Sequence, residues 1–359
     1  MSKYWTPRVR IILAGTVFGV LGALAVNWGN PQNMGICVAC FLRDIAGALN
    51  LHQASVVQYI RPEIIGFTLG AFVTAFGVGE WRARGGASPV IRFVLGVLVM
   101  IGALVFLGCP IRMLLRLAGG DLNAITALAG MVFGILVGIF FLKKGFNLGR
   151  ASQMHPLAGW IIPLIMIGLL LLAIFQPGFI SSSESGPGSM HVNLWLGLGI
   201  GLLVGFMAQR TRFCSMGAWR DIFLVRDFHL FSGIAAFFIA ALIANYAAGN
   251  FAADGIYHWG FTEQPVAHNN HLWNFFGMGL LGIAAVQIGG CPLRNLVLSG
   301  EGDTDAGVTV LGYLAGAAIA HNFLLASSPE GVGTWGPLAV ILGWVFCLAI
   351  GFLMMERAK

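Results

Sequence analysis

Charged residues are scarce in this chain. Only 9% of its 359 residues are Asp, Glu, Lys or Arg, whereas 58% are hydrophobic and the mean hydropathy is +0.85. A soluble domain carries about 25% charged residues, because its surface faces water. A surface with so little charge must face lipid. The composition therefore excludes a soluble globular protein and predicts an integral membrane protein.

Features typical of several other protein classes are also absent. The Lys and Arg residues form no contiguous basic run, so the net charge of +6 does not indicate a nucleic-acid partner. No glycine-rich loop ends in Lys-Ser/Thr, which argues against ATP hydrolysis. The eight histidines do not cluster at ligand spacing, and we expect no metal and no cofactor. The first apolar run, 11–28, lacks a cleavage site and predicts a permanent span rather than a signal peptide.

Apolar segments long enough to cross a membrane recur along the chain. A helix needs about 20 apolar residues to cross the hydrocarbon core. Ten segments are predicted to span it: 9–28, 62–80, 91–108, 123–142, 157–175, 192–209, 230–249, 271–290, 305–326 and 336–355. Four shorter, semi-polar segments predict half-helices, at 35–49, 109–118, 212–225 and 291–298. The predicted fold class is an all-α polytopic membrane protein.

The basic residues predict its orientation. They precede the first span and follow the second, fourth, sixth and tenth, from Lys3 near the start to Arg357 and Lys359 at the end. The loops 176–191 and 251–270 contain no Lys or Arg. If the ten spans alternate, all of these basic groups lie on one side. The positive-inside rule then places both termini in the cytoplasm, and we expect a bacterial inner membrane.

Two motifs occur twice, in the same order. CVACFLRDI at Cys37 matches CSMGAWRDI at Cys214, and GCPIRMLLRLAGGD around Cys109 matches GCPLRNLVLSGEGD around Cys291. Each half contains five predicted spans, an odd number, so the halves should insert in opposite orientations. We predict a first inverted repeat at 1–175, an external linker at 176–191 and a second inverted repeat at 192–359. Such transporters bind substrate near the midplane, between the halves.

The Gly-Cys-Pro motif predicts a helix start at membrane depth. Its copies are Gly108-Cys109-Pro110 and Gly290-Cys291-Pro292. Proline suits the first helical position, and the preceding cysteine would lie beside free backbone N–H groups, which attract anions. Non-helical backbone at this depth is tolerated where it lines a wet cavity. The alternative is a kinked helix in which the cysteine packs as a small apolar residue.

Ionisable residues accompany each cysteine motif. They are Arg43-Asp44, Arg112, Arg220-Asp221 and Arg294. Charges within a membrane are costly, so the two Arg-Asp pairs are interpreted as ion pairs that lock the half-helices. Arg112 and Arg294 follow their cysteines by about one helical turn. They either draw anions inward or bond carbonyl groups of the broken backbone, and the sequence leaves both roles open.

The remaining cysteines have no counterpart in the repeat. Cys37-x-x-Cys40 resembles a redox or metal motif, but a structural zinc site usually needs four ligands. The second half has Gly217 where the first has Cys40, so Cys40 is an addition to the shared pattern, and a redox role is one hypothesis for it. Cys347 lies within the last predicted span and is expected to face lipid or the core.

At these motifs the sequence resembles the YeeE/YedE family of membrane proteins. The residues that carry the resemblance are Cys37 with Arg43-Asp44, Gly108-Cys109-Pro110 with Arg112, Arg210-Thr211-Arg212-Phe213-Cys214 with Arg220-Asp221, and Gly290-Cys291-Pro292 with Arg294. The YeeE branch takes up thiosulfate, and the YedE branch, which this chain resembles more, is associated with selenium metabolism. In the thiosulfate branch, thiols along a central route pass the anion by hydrogen bonds. The resemblance implies that Cys37, Cys109, Cys214 and Cys291 line such a pathway.

The resemblance also implies function and partners. The expected function is import of a small sulfur- or selenium-containing anion, such as thiosulfate or selenite, with a soluble TusA-like or YedF-like carrier on the cytoplasmic side. We expect neutral thiols, because burial opposes the helix dipole. Two alternatives stay open. One is a transferase that forms a cysteine persulfide or selenyl adduct and hands it to the carrier, and the other is a structural membrane partner. The sequence does not choose between sulfur and selenium.

Overall fold

The regular secondary structure within residues 6–355 is almost all helical. The structure, a computed structural model, describes residues 6–355, so Lys3, Arg357 and Lys359 of the predicted orientation lie outside the described residues. The helices are α1 (Pro7–Asn27), α2 (Val38–Ala48), α3 (Pro62–Gly77), α4 (Pro89–Phe106), α5 (Pro110–Ala118), α6 (Asn123–Lys143), α7 (Pro156–Phe175), α8 (Leu194–Thr211), α9 (Ser215–Val225), α10 (His229–Ala247), α11 (His271–Ile288), α12 (Pro292–Gly300), α13 (Thr304–Asn322) and α14 (Gly336–Leu353). Two short strands, β1 (Arg84–Gly85) and β2 (Ser152–Gln153), pair antiparallel with Arg84 opposite Gln153. The strands were not predicted, because two residues give no alternating pattern.

Eight helical segments within residues 6–355 are long and apolar enough to cross a membrane. Three of them, Pro89–Ala118, Leu194–Val225 and His271–Gly300, each join a long helix to the half-helix that follows it. The prediction of an all-α polytopic membrane protein is confirmed. Each of the ten predicted spans contains a helix, but α3 has 16 residues and α13 is not among the eight apolar segments. The count of ten spans therefore stays a prediction.

The four half-helices α2, α5, α9 and α12 begin and end by local rules. Each has a cysteine at its N-cap. α5 and α12 begin with proline, which suits this position because the first backbone N–H groups of a helix have no partner within the helix. After α5 and α12 the chain turns at Gly120 and Gly302, whose φ angles of +85° and +92° favour glycine. The Gly-Asp end shared by the two motifs is therefore a helix stop.

Helices of the two halves pack against each other in matching pairs. α1 packs on α10 and α3 on α8, while α6 packs on α11 and α13 on α4. Small residues bring these backbones together, since a Cβ at Gly15 would collide with the Gly233 carbonyl oxygen and one at Gly66 with the Gly201 backbone. If α1–α7 are exchanged in order for α8–α14, the α1–α10 contact becomes the α8–α3 contact, and the α6–α11 contact becomes the α13–α4 contact.

The half-helices follow the same exchange. α2 contacts α12 and α5 contacts α9, so each half-helix meets the other type of half-helix from the opposite half. The peripheral helices depart from it, because α7 packs on α3 of its own half whereas α14 packs on both α11 and α4. Two repeats related by a two-fold axis would give the shared contacts. The division at 176–191 and the inverted insertion stay predictions.

Candidate functional site

The N-terminal ends of α2 and α5 meet at the first thiol pair, Cys37 and Cys109. Their Sγ atoms lie 3.7 Å apart, and both side chains are buried. The Cys37 sulfur accepts a hydrogen bond from the Cys40 backbone N–H at 3.4 Å. The Cys109 sulfur lies beside the backbone N–H groups of Ala39 and Arg112. It thus faces the first turns of two helices at once, where helix dipoles favour negative charge.

Arg112 and Cys40 extend the first thiol pair by one helical turn. Arg112 Nη1 lies 3.1 Å from Cys40 Sγ, and both side chains are fully buried. Gly108 leaves room for this arginine, because a Cβ there would lie 2.7 Å from Arg112 Cδ. Nε and Nη2 of Arg112 donate to the carbonyl oxygens of Asn33 and Val266, at 3.0 and 2.7 Å. Arg112 therefore bonds backbone carbonyls, one of the two roles left open by the sequence, and also touches a sulfur.

The N-terminal ends of α9 and α12 meet at the second thiol pair, Cys214 and Cys291. The two thiols lie beside each other, and both are buried. The Cys214 sulfur accepts from the Gly217 backbone N–H at 3.3 Å, as Cys37 does from Cys40. The Cys291 sulfur lies beside the backbone N–H groups of Arg294 and Ser215. The two thiol pairs thus share one backbone arrangement.

The second thiol pair has different polar neighbours. The Ser215 hydroxyl is buried against the Cys291 sulfur. Arg294 does not contact a sulfur as Arg112 does, and its Nη1 pairs with Glu301 Oε1 at 3.1 Å. Neither partner was predicted. Ser215 directly follows Cys214, so its place in the motif offered a signal, whereas Glu301 lies at the far end of α12.

Tyr313 of α13 lies near thiols of both pairs. It is fully buried, and its hydroxyl accepts a hydrogen bond from Asn295 Nδ2 at 2.8 Å. The phenol lies close enough to Cys291, Cys214 and Cys109 for a charge on any of them to act on it. The phenol therefore lies near thiols of both pairs. Sequence reasoning missed Tyr313, because nothing in the repeated motifs marks it.

The two Arg-Asp motifs form ion pairs of different kinds. Asp44 Oδ1 accepts from Arg43 at 2.7 Å, and Asp44 Oδ2 accepts from Arg61 Nε at 2.7 Å. All three side chains are buried, and the Arg61 guanidinium lies 4.5 Å from the centre of the Phe41 ring. Arg61 also donates to two carbonyls of the 176–191 segment. This network ties α2 to α3 and to the linker, and Arg61 was not predicted.

The second-half motif is simpler and more exposed. Arg220 Nη2 and Asp221 Oδ1 lie 2.8 Å apart, with side-chain exposures of 28% and 19%. No second arginine reaches Asp221 among the described residues. An ion pair at such a site contributes about 0–1 kcal/mol, because water screens it.

The cysteine region is closed. The four sulfur-bearing side chains are at most 6% exposed, so no open throat joins them to water. A cavity of about 500 Å³ lies elsewhere, against Tyr59, His191 and Asn193 near the 176–191 segment. Cys347 is fully buried in α14, so of the two predicted environments the structure shows the core. In the part of the chain that the structure describes, no group of three His, Cys, Asp or Glu side chains is arranged to hold a metal ion.

These features define a polytopic helical membrane protein with buried thiols at the N-terminal ends of four half-helices. Residues 210–357 match the profile of a family described as sulphur transport, and over these residues the predicted resemblance to the YeeE/YedE family is confirmed. The chain is similar to the thiosulfate transporter TsuA of Spirochaeta thermophila, with 31% identity over 124 residues. It is also similar to the thiosulfate transporter TsuA of Escherichia coli, with 27% identity over 126 residues.

Both similarities are partial. The first covers 34% of this chain and 35% of the relative, and the second covers 35% and 34%. The chain thus spans about a third of the length of the curated relatives it matches.

Proposed function

We propose that this protein is a membrane transporter for a small sulfur- or selenium-bearing anion, such as thiosulfate or selenite. One observation carries the proposal: thiols at helix N-termini meet in two pairs, one from each half, and Tyr313 lies near thiols of both pairs. Helix N-termini favour anions, and thiols are weak hydrogen-bond donors. The names of the TsuA relatives support a sulfur anion as substrate. We place the protein in a bacterial inner membrane, with cytoplasmic termini and two inverted repeats.

The pathway runs through the four cysteines in this proposal. The anion reaches Cys37 and Cys109 from outside and then passes to Cys214 and Cys291 on the cytoplasmic side. Weak donors at successive sites bind the anion without trapping it, which a conducting route requires. The Gly-Cys-Pro motifs, Arg112 and Arg294 shape the two binding places, and the Arg-Asp pairs hold the half-helices. A soluble TusA-like or YedF-like carrier receives the anion.

Transport by the purified protein tests this proposal. The full chain would be reconstituted in liposomes and supplied with ³⁵S-thiosulfate or ⁷⁵Se-selenite, with protein-free liposomes as the blank. Time-dependent accumulation of either label, abolished by detergent permeabilisation, is the expected result. The ratio of the two uptake rates identifies sulfur or selenium as the preferred substrate. Absence of both labels from intact proteoliposomes would contradict transport by this chain alone.

A second function, sulfur transfer, is favoured by the contact between Arg112 and Cys40. Arg112 Nη1 lies 3.1 Å from Cys40 Sγ, and the guanidinium would stabilise the thiolate, the nucleophilic form of cysteine, once the resting Cys40 thiol loses its proton. The Cys40 thiolate would attack the outer sulfur of thiosulfate and form a persulfide, while the S–S bond of thiosulfate breaks and sulfite leaves with its electron pair. Intact-mass measurement after incubation with thiosulfate detects one added sulfur atom. Uptake without such an adduct supports transport over transfer.

A further inference from the structure

Arg112 is a buried cation without a carboxylate partner. Residues 6–355 contain four buried arginines, namely Arg43, Arg61, Arg112 and Arg116. The first two pair with Asp44, and Arg116 pairs with Asp121 at 2.6 Å. Arg112 forms no ion pair within the described residues, although its side chain is fully buried. A buried charge is costly unless it is paired, so an unpaired one indicates a missing anion.

The hydrogen bonds of Arg112 leave donors free. A guanidinium has five N–H groups, and those of Arg112 make three contacts, to Asn33 O, Val266 O and Cys40 Sγ. Carbonyl oxygens and a thiol solvate the cation and hold it in place without neutralising it. Two of the five N–H groups therefore remain free to donate to a bound ligand. The planar fork of arginine suits an oxyanion, whose oxygens can accept two parallel hydrogen bonds.

No neighbouring carboxylate neutralises Arg112 within the described residues. Asp121 accepts from Arg116 and from both nitrogens of Asn123, which occupies its two oxygens. His268 lies on the same loop as Val266, and it supplies no negative charge, because an imidazole ring is either neutral or cationic. Its Nε2 lies 2.8 Å from the Val105 carbonyl oxygen, as expected of a neutral donor. The charge of Arg112 is therefore open to a ligand.

In the second half, residues 192–355 contain no buried arginine without a carboxylate partner. Arg294 occupies the equivalent position, but Glu301 pairs with it at 3.1 Å, and Glu301 also pairs with Arg84 at 3.3 Å. The polar side chain directly beside Cys291 is the uncharged hydroxyl of Ser215. The two halves thus offer a charged binding place and an uncharged one.

We infer that Arg112 is the specificity-determining residue of the pathway and selects a small oxyanion that also carries a sulfur or selenium atom. The oxygens bind the free N–H groups of Arg112, while the larger, more polarisable atom lies against the thiols of Cys37 and Cys109. The anion then moves to the uncharged second thiol pair, where weaker binding favours release. The inference rests on the proposed transport function and deepens it, because it assigns affinity to the first half and release to the second.

Concentration-dependent uptake of ³⁵S-thiosulfate into proteoliposomes tests the inference. Arg112→Gln removes the charge, Arg112→Lys retains it, and Arg150→Gln removes an exposed arginine as a control. Loss of a charged hydrogen bond should raise the half-saturating concentration about ten- to a hundredfold in Arg112→Gln, with a smaller change in maximal rate. Arg112→Lys should restore part of the affinity, because it keeps the positive charge but not the planar fork or all three contacts of the arginine. Arg150→Gln should behave as the wild type.

A second pair of variants leaves Arg112 in place, in case its removal prevents folding. Cys40→Asp supplies a counter-ion at the atom that Arg112 Nη1 now contacts, and Cys40→Asn is the neutral control of the same shape. The aspartate should weaken thiosulfate affinity about as much as Arg112→Gln, and the asparagine should weaken it far less. Unfolding midpoints in detergent show whether each variant is folded.

The outcomes separate this inference from the transport function. If the wild type takes up thiosulfate and Arg112→Gln has an unchanged half-saturating concentration, the inference is wrong and transport stands. If Arg112→Gln and Arg112→Lys lose the same thiosulfate affinity, Arg112 acts only by bonding the carbonyl oxygens of Asn33 and Val266, which also overturns the inference. If the wild type takes up no label, the proposed function fails first.

Discussion

The first and second thiol pairs share a backbone and differ in charge. In both, a cysteine N-cap accepts from the N–H three residues later, and the second cysteine faces the N-terminal turns of two half-helices. The first pair adds Cys40 and an unpaired Arg112, while the second adds Ser215 and an arginine neutralised by Glu301. The main-chain geometry at the two thiol pairs is the same, whereas the charge of the neighbouring side chains differs. Two similar helix ends thus have different electrostatic surroundings.

The largest expected effect tests what the two thiol pairs share. Cys109→Ala and Cys291→Ala should each reduce thiosulfate uptake in cells or liposomes by more than about tenfold, because each removes a donor from a single-file route. Membrane expression should be retained, which immunoblotting of the membrane fraction checks. Serine at either position should restore uptake if hydrogen bonding suffices. Normal uptake in both alanine variants would end the case for a cysteine-lined pathway.

The next effect contrasts the two Arg-Asp motifs. Asp44→Asn leaves Arg43 and Arg61 buried without a counter-ion, and breaking a buried pair costs about 3–5 kcal/mol. Asp221→Asn breaks a partly exposed ion pair and should cost about 0–1 kcal/mol. The unfolding free energy in detergent, measured by denaturant titration, gives both values. Equal losses would mean that burial does not separate the two motifs.

A smaller and equal effect is expected where the halves match. Gly15→Ala places a methyl group against the Gly233 carbonyl in the α1–α10 contact, and Gly201→Ala places one against Glu63 and Gly66 in the α3–α8 contact. Overpacking a close helix contact costs about 1–3 kcal/mol.

Gly168→Ala in α7 is the matched control, since a Cβ there meets nothing within 4 Å. It should leave stability unchanged or raise it slightly, because alanine favours helix more than glycine does. Thermal unfolding of the three variants in detergent tests the comparison. If Gly15→Ala and Gly201→Ala differ by several kcal/mol, the two helix contacts are not equivalent.

The smallest effect concerns the cysteine outside both motifs. Cys347 is buried in α14, so Cys347→Ala should cost about 1 kcal/mol through a small cavity. Thiosulfate uptake should equal that of the wild type, because the residue belongs to neither thiol pair. Parallel uptake and thermal unfolding measurements check both statements. A loss of uptake comparable to that of Cys109→Ala would show that buried thiols matter here through packing.

The amino-acid sequence by itself determined the helices and their ends. Long apolar runs placed the spans, and the predicted segment 109–118 differs from α5, Pro110–Ala118, only in its first residue. Proline, cysteine and glycine at fixed offsets marked where half-helices start and stop. These features follow from hydropathy and from backbone preferences, which act within a few residues of the chain. The duplicated motifs also indicated that two equivalent places exist.

Only the tertiary structure decided the charge of each place. Arg61 reaches Asp44 from 17 residues away, and Arg112 bonds Val266 from 154 residues away. Arg112 and Arg294 look alike in their motifs, yet Glu301 neutralises only the second. Electrostatic energy depends on distance in space and on burial, and neither can be read from spacing along the chain. A repeated sequence therefore predicted two helix-end sites, and helix packing made one of them cationic.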